Sequence, residues 1–243
     1  MKSNAYVGNN CIYIDSKNKE YIGLLNNSKC YNIVNGVNKF ENSEVLYSCM
    51  MFGGGGDIVS NLIDKINIKS IKGIVGRNKN KIRSEWESIK VDVMRWILKG
   101  KLVCNYLKFG ELLLKSGNKE IVIVNRFDEF WGVKDNGNGI YEGENMLGKL
   151  LMELRDVIID KNRRYELKVW EVNVDLKLKM YGDWVENLYL DDNIWDLGNR
   201  SFDFLIEKFK IKSPICPNGG GLYPVSPISY ISDLASEPIA LAA

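Results

Sequence analysis

No part of this chain says more about its fold than Asp128-Glu129-Phe130-Trp131-Gly132 and the run after it, Gly143-Glu144-Asn145-Met146-Leu147-Gly148-Lys149-Leu150-Leu151-Met152-Glu153-Leu154-Arg155. The tetrapeptide Ile121-Val122-Ile123-Val124 comes just before and predicts a buried strand. The apolar spacing from Asn145 to Ile159 predicts a helix. The strand therefore delivers Asp128 and Trp131 to a loop at its end, and a rigid scaffold makes such a loop a favourable place for a functional site.

The chain before this unit has the patterns of several helices and short strands. The tight-turn pair Asn35-Gly36 and the apolar groups at 11–14 and 31–34 predict short strands. Residues 44–52 predict a helix with Asn42 or Ser43 as its N-cap, ended by a run of glycines. Helical spacing recurs at 57–65, 86–101 and 106–114. We therefore predict an α+β fold, with helices packed around a small mixed sheet.

The character of the sequence changes after residue 161. Alternating apolar residues from Leu167 to Met180 predict a half-exposed strand, and residues 201–209 predict one more helix. The chain beyond Lys212 holds all 5 prolines, which is typical of extended or disordered segments. We predict a domain over 1–161, a small strand-plus-helix C-terminal unit over 162–211 and an extended or disordered tail over 212–243. Apolar residues in the tail suit docking on a protein partner or another subunit.

Composition and charge exclude several classes of protein. Hydrophobic residues make up 45% and charged residues 26%, which is ordinary for a soluble globular protein. No apolar run approaches the roughly 20 residues of a membrane-spanning helix, and the first residues do not resemble a signal peptide. The 33 basic and 31 acidic side chains are spread through the sequence, so charge does not indicate a nucleic-acid partner.

The cysteine and histidine counts limit the chemistry further. The 5 cysteines form an odd set without a CxxC pair, which predicts reduced thiols and a cytoplasmic protein. The sequence contains no histidine, and this excludes His-based metal sites and Ser-His or Cys-His relays. Acid and base work must fall to carboxylates, lysines, tyrosines or water. We predict neither a metal nor a cofactor.

Four segments in the same order resemble the NADAR (YbiA-like) family of N-glycosidases over roughly residues 20–160. In the first, Ser43, Glu44 and Phe52 agree with a family pattern that reads approximately Ser-Glu-His-Tyr-Phe-Gln-Ala-x-Lys-Phe. The others are Gly76-Arg77, then Trp86 to Lys90 with Met94 and Lys101, and finally the acid-Trp-Gly and Gly-x-Asn-x-Leu-Gly run quoted above. The resemblance implies cleavage of a C–N bond in a small-molecule ribosyl or ADP-ribosyl-type substrate.

The resemblance implies two catalytic carboxylates, Glu44 and Asp128. Breaking a C–N bond at the anomeric carbon of ribose passes through an oxocarbenium-like state, which a nearby carboxylate stabilises. We expect one acid to serve as base or electrostatic stabiliser and the other to position the substrate or donate a proton. Glu44 ranks first. The competing interpretation for each acid is a solvated surface side chain.

Six further residues are expected to bind substrate: Asn26, Arg77, Trp86, Trp131, Gly132 and Asn145. Trp131 can stack on a flat base, although a buried Trp is more commonly part of a core. Arg77 can hold a phosphate through its planar fork, or form a surface ion pair. Asn145 can bond a ribose or base edge, or cap the helix that follows it.

The sequence departs from the family pattern at Met51, where the family has lysine. If that lysine is a nucleophile toward an opened sugar, a thioether cannot replace it. Water activated by Glu44, or a lysine from elsewhere such as Lys65 or Lys134, would then be needed. The primary prediction is an active N-glycosidase. The alternatives are a catalytically degenerate binder of a nucleotide-like ligand and a structural or assembly component that acts through its C-terminal extension.

Overall fold

The computed structural model describes residues 4–53, 56–63, 68–171, 179–180, 183–184 and 186–212. Helices account for about half of these residues and pack on one apolar core. The α-helices are α1 (Ser43–Met50), α2 (Gly56–Ile63), α3 (Ile68–Arg77), α4 (Trp86–Cys104), α5 (Tyr106–Lys115), α6 (Met146–Ile159) and α7 (Asp192–Lys208). Short 3-10 helices lie at Ile22–Leu24, Lys79–Lys81 and Arg164–Leu167.

The strands are short and form a small mixed sheet together with antiparallel ribbons. They are β1 (Asn4–Tyr6), β2 (Cys11–Ile14), β3 (Ile33–Asn35), β4 (Asn38–Phe40), β5 (Glu120–Ile123), β6 (Lys134–Asp135), β7 (Tyr141–Gly143), β8 (Val169–Trp170), β9 (Lys179–Met180), β10 (Asp183–Trp184) and β11 (Leu188–Tyr189). β2 and β5 pair in parallel, and a parallel bridge from Val124 to Val133 connects them to antiparallel β6-β7-β1. The ribbons are β3-β4, β8-β11 and β9-β10. The predicted α+β architecture is confirmed.

Most predicted elements of the first 161 residues are present with small shifts at their ends. α1 begins after Asn42, whose side chain accepts a hydrogen bond from the N–H of Val45. The pair Asn35-Gly36 makes the turn of the β3-β4 hairpin, and Gly36 has a φ of 54°. α3 is an element that the pattern did not reveal. Its interior contains Gly73 and Gly76, and glycine weakens helix propensity.

Residues after 161 pack on the same core as the residues before them. The Trp170 side chain is fully buried and its ring lies 4.4 Å from that of Trp96 on α4. Phe202 of α7 is also fully buried and packs against Tyr106 on α5, with ring centroids 5.0 Å apart. The predicted division at residue 161 stays a prediction, and the two sides of it share one hydrophobic cluster.

α7 corrects one predicted boundary. The helix was expected over 201–209, yet it begins at Asp192, where the Asp191 side chain accepts hydrogen bonds from the N–H groups of Asn193 and Ile194. This acidic N-cap starts the helix more than two turns before its apolar part. The strand expected from Leu167 to Met180 is described only at its two ends, in β8 and β9. The tail after Lys212 lies outside the described residues, so its docking stays a prediction.

Among the residues that the structure describes, none of the helices combines the length and the apolar character that a membrane span requires.

Candidate active site

Glu44 lies in the first turn of α1, the helix that the Asn42 cap begins. Its backbone N–H donates to the carbonyl oxygen of Asn26 at 3.0 Å, which ties the start of the helix to the segment after the first 3-10 helix. The Glu44 side chain is half-buried, and the residues around it on the helix are buried. One hydrogen bond therefore joins two residues that the sequence predicted separately.

Asp128 shapes the loop that carries the aromatic residues. One of its carboxylate oxygens accepts from the N–H groups of Phe130 at 3.2 Å and Trp131 at 3.0 Å. Its carbonyl oxygen accepts from the N–H of Gly132 at 3.1 Å. A side chain that bonds the backbone two and three residues further on makes a stable turn. Asp128 thus determines how Trp131 is presented.

The start of α6 holds the same loop from its other side. No side chain caps α6, and the N–H groups of Met146 and Leu147 instead donate to the carbonyl oxygens of Phe130 at 3.0 Å and Trp131 at 3.1 Å. The first turn of any helix has N–H groups without partners inside the helix. Here these groups fix the backbone of the two aromatic residues next to Asp128.

Tyr47 joins α1 to this loop through aromatic contacts. Its ring centroid lies 4.9 Å from that of Trp86 and 5.5 Å from that of Trp131. Trp86 is buried, whereas Tyr47 and Trp131 are half-buried. Phe130 packs beside Trp131 at 5.1 Å. The four rings form an aromatic wall to which α1, α4 and the Asp128 loop all contribute.

The carboxylates of Glu44 and Asp128 act on the same surroundings. Burial raises the pKa of Glu44, the positive charge of Lys72 on α3 lowers it, and the negative charge of Asp128 raises it. Burial also raises the pKa of Tyr47, and Glu44 and Asp128 both add to this effect. Because charge effects fall off with distance, these pKa shifts agree with the contact of the Tyr47 ring with Trp131 in the Asp128 loop.

A second amine lies at the aromatic wall. The Lys90 Nζ is 4.2 Å from the centroid of the Phe130 ring and 2.6 Å from a carboxylate oxygen of Glu87. Glu87 and Lys90 follow Trp86 on α4, so the beginning of this helix contributes both a ring and a charged pair. The ion pair of Glu87 and Lys90 therefore lies next to the aromatic wall.

Two buried polar atoms near Glu44 have no hydrogen-bond partner in the described structure, the Oδ1 of Asn26 and the Oγ of Ser43. The Nδ2 of Asn26 is 3.4 Å from the Sδ of Met94, which is a weak acceptor. Buried polar groups are normally paired, so unpaired atoms beside a candidate site need an explanation. Both residues adjoin Glu44, Ser43 as its neighbour in the chain and Asn26 through the hydrogen bond to the Glu44 N–H.

The structure does not bring every predicted binding residue to the aromatic wall. The Asn145 side chain is fully buried, where Nδ2 donates to the Ile121 carbonyl at 2.8 Å and Oδ1 accepts from the Ile123 N–H at 3.0 Å. Its side chain thus bonds the backbone of β5. Arg77 is exposed at the end of α3 and forms no ion pair within the described ranges.

Gly132 has a backbone role. A Cβ at this position would lie 2.5 Å from the carbonyl oxygen of Ile123, which is backbone and cannot move aside. The carbonyl oxygen of Gly132 also accepts a hydrogen bond from the N–H of Asn145 at 3.1 Å. The glycine is therefore required where the Asp128 loop crosses the end of β5, and its absent side chain allows this close approach.

An open groove of about 810 Å³ lies elsewhere, between the end of α6 and α7. None of the predicted site residues lines it; its walls are Ile159, Asp160, Lys161, Asn162, Asp203, Phe204, Ile206 and Glu207. The described residues contain no cluster of His, Cys, Asp and Glu suited to a metal ion. The groove therefore contributes nothing to the chemistry of the two predicted acids.

The family model of the NADAR domain matches residues 12–159 of this chain. The chain belongs to the NADAR domain family. All the residues of the aromatic wall lie inside the matched region, as do Glu44 and Asp128. The family that the sequence motifs indicated is thus confirmed, while the part after residue 159 has no match in this model.

Named relatives within the NADAR family are similar over part of the chain. The N-glycosidase YbiA of Shigella boydii is 38% identical over 95 residues, which cover 39% of this chain and 56% of that protein. The riboflavin biosynthesis protein PYRR of Zea mays is 36% identical over 90 residues, 35% of this chain and 14% of that protein. The NMR structure of E. coli YbiA has 27% identity and a TM-score of 0.50, and covers 61% of this chain and 84% of that one.

Met51, at the position of the family lysine, follows the last residue of α1 and is half-buried against the core. Of the two substitute lysines considered from the sequence, Lys65 lies outside the described residues. Lys134 is exposed on β6, where it pairs with Glu142 of β7. The amines that the structure does associate with this site, Lys72 and Lys90, were missed. Lys90 stands in a motif segment, whereas no sequence signal marks Lys72.

The Glu44 pKa predicts a gain in stability when the charge is removed. A raised pKa means that the folded state binds the proton more tightly than the unfolded state, so stability falls as pH rises above about 4. We expect Glu44→Gln to raise the midpoint of thermal unfolding at pH 7 by at least about 2 °C. The difference should shrink as the pH approaches 4.

The matched control for this measurement is Glu41→Gln, a half-buried acid just before α1. It makes the same chemical change near the same helix, and we expect its thermal midpoint to stay within about 1 °C of the unmodified protein. A lower midpoint for Glu44→Gln than for Glu41→Gln at pH 7 would show that the Glu44 carboxylate is stabilised in the fold, against this prediction.

Proposed function

We propose that this NADAR family member is an N-glycosidase that hydrolyses the C–N bond of a ribosyl or ADP-ribosyl-type substrate. The observation that carries the proposal is the contact of Tyr47, on the helix that holds Glu44, with Trp131, in the loop that the Asp128 carboxylate shapes. The similarity to proteins named N-glycosidase YbiA supports the same reaction class. Two carboxylates and a stacking surface are what cleavage of a sugar–base bond requires.

Glu44 is the proposed base. As the bond from ribose C1 to the base nitrogen breaks, the electron pair leaves with the base and positive charge develops on the sugar ring. Glu44 stabilises this charge and accepts a proton from the water whose oxygen bonds to C1. The departing base takes up a proton from solvent or from a neighbouring acid. A raised Glu44 pKa brings the carboxylate closer to the operating pH and makes it a better base.

Asp128 is the proposed positioning acid. One of its oxygens is already bonded to the N–H groups of Phe130 and Trp131, which holds the carboxylate in one orientation. A carboxylate fixed in this way can accept a hydrogen bond from a sugar hydroxyl with its other oxygen. Its negative charge near Glu44 adds to the field that stabilises the cationic transition state.

The aromatic wall is the proposed binding surface for the base. Tyr47 and Trp131 are half-buried and can stack on a flat ring, while buried Trp86 supports them from behind. Lys72 and Lys90 add positive charge near the carboxylates and the rings. Ammonium groups bind phosphates well, so this charge favours a phosphorylated or ADP-ribosyl substrate.

Met51 supports a second candidate, a binder that does not turn the substrate over. Its thioether has no ionisable nitrogen and cannot form a Schiff base with an opened sugar. In this alternative the aromatic wall and the lysines bind a nucleotide-like ligand, and the Glu44 carboxylate lacks the nucleophile it would assist. Hydrolysis by a water that Glu44 activates predicts release of free base, whereas the second candidate predicts binding without release.

The test follows release of free base from ADP-ribose derivatives and from nucleotide precursors of riboflavin, by chromatography. We expect the unmodified protein to release base and Glu44→Ala to release none above background. Base release by Met51→Lys alone, or binding of ADP-ribose without release by the unmodified protein, would favour the binder. Neither binding nor release from any of these compounds would overturn both candidates.

A further inference from the structure

Lys101 is a fully buried lysine, and within the described ranges its Nζ bonds backbone carbonyls and forms no ion pair. Its side chain leaves α4 near the middle of the core, among residues that are themselves buried. Moving an ammonium out of water is costly unless its donors are satisfied, and burial lowers the pKa of Lys101 to about 7. A group held under such conditions needs a structural or functional reason.

The donors of Lys101 are used on one short segment. Its Nζ donates to the carbonyl oxygen of Gly23 at 2.8 Å and to that of Leu25 at 3.2 Å. The Phe109 ring covers the remaining side, with its centroid 4.8 Å from Nζ. Gly23 and Leu25 belong to the 3-10 helix and its C-cap, which lead directly into Asn26.

Asn26 connects this segment to Glu44. Its carbonyl oxygen accepts the N–H of Glu44 at 3.0 Å, and its Nδ2 contacts the Sδ of Met94 at 3.4 Å. Met94 lies about two turns before Lys101 on α4, so both side chains point to the same face of the helix. α4 therefore holds the segment 23–26 at two places, once by each side chain.

We propose that Lys101 is a positioning residue for the candidate active site, which fixes the segment 23–26 and thereby the Asn26 carbonyl that holds the N–H of Glu44. Its role in turnover rests on the proposed function. Its role in holding Glu44 does not, because the contacts exist without substrate. Without the ammonium, two backbone carbonyls would lose their donor in a buried place, and the segment would shift to find other partners.

The experiment compares Lys101→Met with the matched control Lys99→Met. Lys99 is a half-buried lysine on the same helix, and the charges that act on it come from Glu171 and Glu166 at the other side. Both variants remove one ammonium from α4 and keep an unbranched side chain. Amide hydrogen exchange at Glu44 is measured by NMR, with the buried strand residue Ile123 as internal reference.

We expect exchange at the Glu44 amide to be at least about tenfold faster in Lys101→Met, and within about twofold of the unmodified protein in Lys99→Met. Equal protection of Glu44 in Lys101→Met and in the unmodified protein overturns the proposal. Absence of base release by the unmodified protein leaves this result unaffected, since hydrogen exchange requires no substrate. Where base is released, Lys101→Met should lower kcat/KM more than Lys99→Met does.

If Lys101→Met does not fold, the unmodified protein supplies the answer. The amide shifts of Gly23, Leu25 and Glu44 are followed between pH 6 and 8, where a common midpoint near 7 is expected. The Cys30 thiol is the titratable group whose charge acts on Lys101, while Tyr31 and Phe109 face it with their rings. The titration is therefore repeated in Cys30→Ser. Glu44 shifts that stay constant while those of Gly23 and Leu25 change, or shifts that change only when Cys30 is present, overturn the proposal.

Discussion

Glu44→Gln is expected to lower kcat/KM for base release by about 10³-fold. The amide keeps the size of the side chain but cannot accept the proton of the attacking water, and it carries no charge to stabilise the oxocarbenium-like state. The Asn26 carbonyl and the Asn42 cap act on the backbone of α1, so the helix should stay in place. The measurement is the initial rate of base release at several substrate concentrations.

Glu41→Gln again provides the control, since it removes a nearby acid without touching the aromatic wall. We expect its kcat/KM to stay within about twofold of the unmodified protein. A loss smaller than about tenfold in Glu44→Gln would show that Glu44 is not the base. The predicted rise in thermal midpoint for the same variant makes the comparison sharper, because lost activity could then not be attributed to unfolding.

A catalytic carboxylate in a buried site should, when replaced by an amide, lose activity and gain stability. Burial beside another acid makes the charged form of Glu44 costly, and the pKa of this residue rises accordingly. The same environment keeps water from screening the charge and makes it more effective on a developing cation. Sites of this kind commonly reduce stability where they provide function.

Asn145→Ala is expected to reduce the free energy of unfolding by about 3 kcal/mol. The Asn145 side chain bonds the Ile121 carbonyl and the Ile123 N–H on the edge of β5 that β2 does not cover. Alanine would leave both groups unpaired in the core. The backbone at position 145 also has a φ of 49°, a left-handed conformation that asparagine tolerates better than alanine. Urea unfolding with a fixed m-value measures the loss.

Comparison with Asn138→Ala separates the contribution of the two buried hydrogen bonds of Asn145 from the cost of its left-handed backbone. Asn138 has a similar φ of 56° but lies exposed in the turn between β6 and β7. We expect this variant to lose only about 1 kcal/mol, the cost of the backbone conformation. Equal losses of unfolding free energy in the two variants would mean that the hydrogen bonds from Asn145 to β5 contribute nothing to stability. Asparagine would then be needed at position 145 only for its left-handed conformation.

The Asn145 result also explains why the sequence could not assign this residue. A glycine-bounded Asn before an apolar helix predicts either a cap or a ligand contact, because both use the same side chain at the same place. In the fold, the N–H groups at the start of α6 already have the carbonyls of Phe130 and Trp131 as partners. The Asn145 amide is therefore directed away from the helix end, toward an open strand edge that no local pattern reveals.

Local patterns were sufficient for the elements that carry the site. The apolar run before Asp128 specified β5, and the spacing after Asn145 specified α6. Asn42, one of the two expected N-caps, marked the start of α1. Each of these depends on residues within a few positions of one another, where propensity, capping and periodicity act. The order of the motif segments also identified the family.

Tertiary packing alone decided how these elements meet. Lys72 and Asp128 both affect the pKa of Glu44, and the Tyr47 ring lies between those of Trp86 and Trp131. Each of these interactions joins segments that are far apart in the chain. So does the bond from Lys101 to the segment before Asn26. Electrostatic and packing energies depend on distance in space, and a single sequence contains no measure of that distance between remote residues.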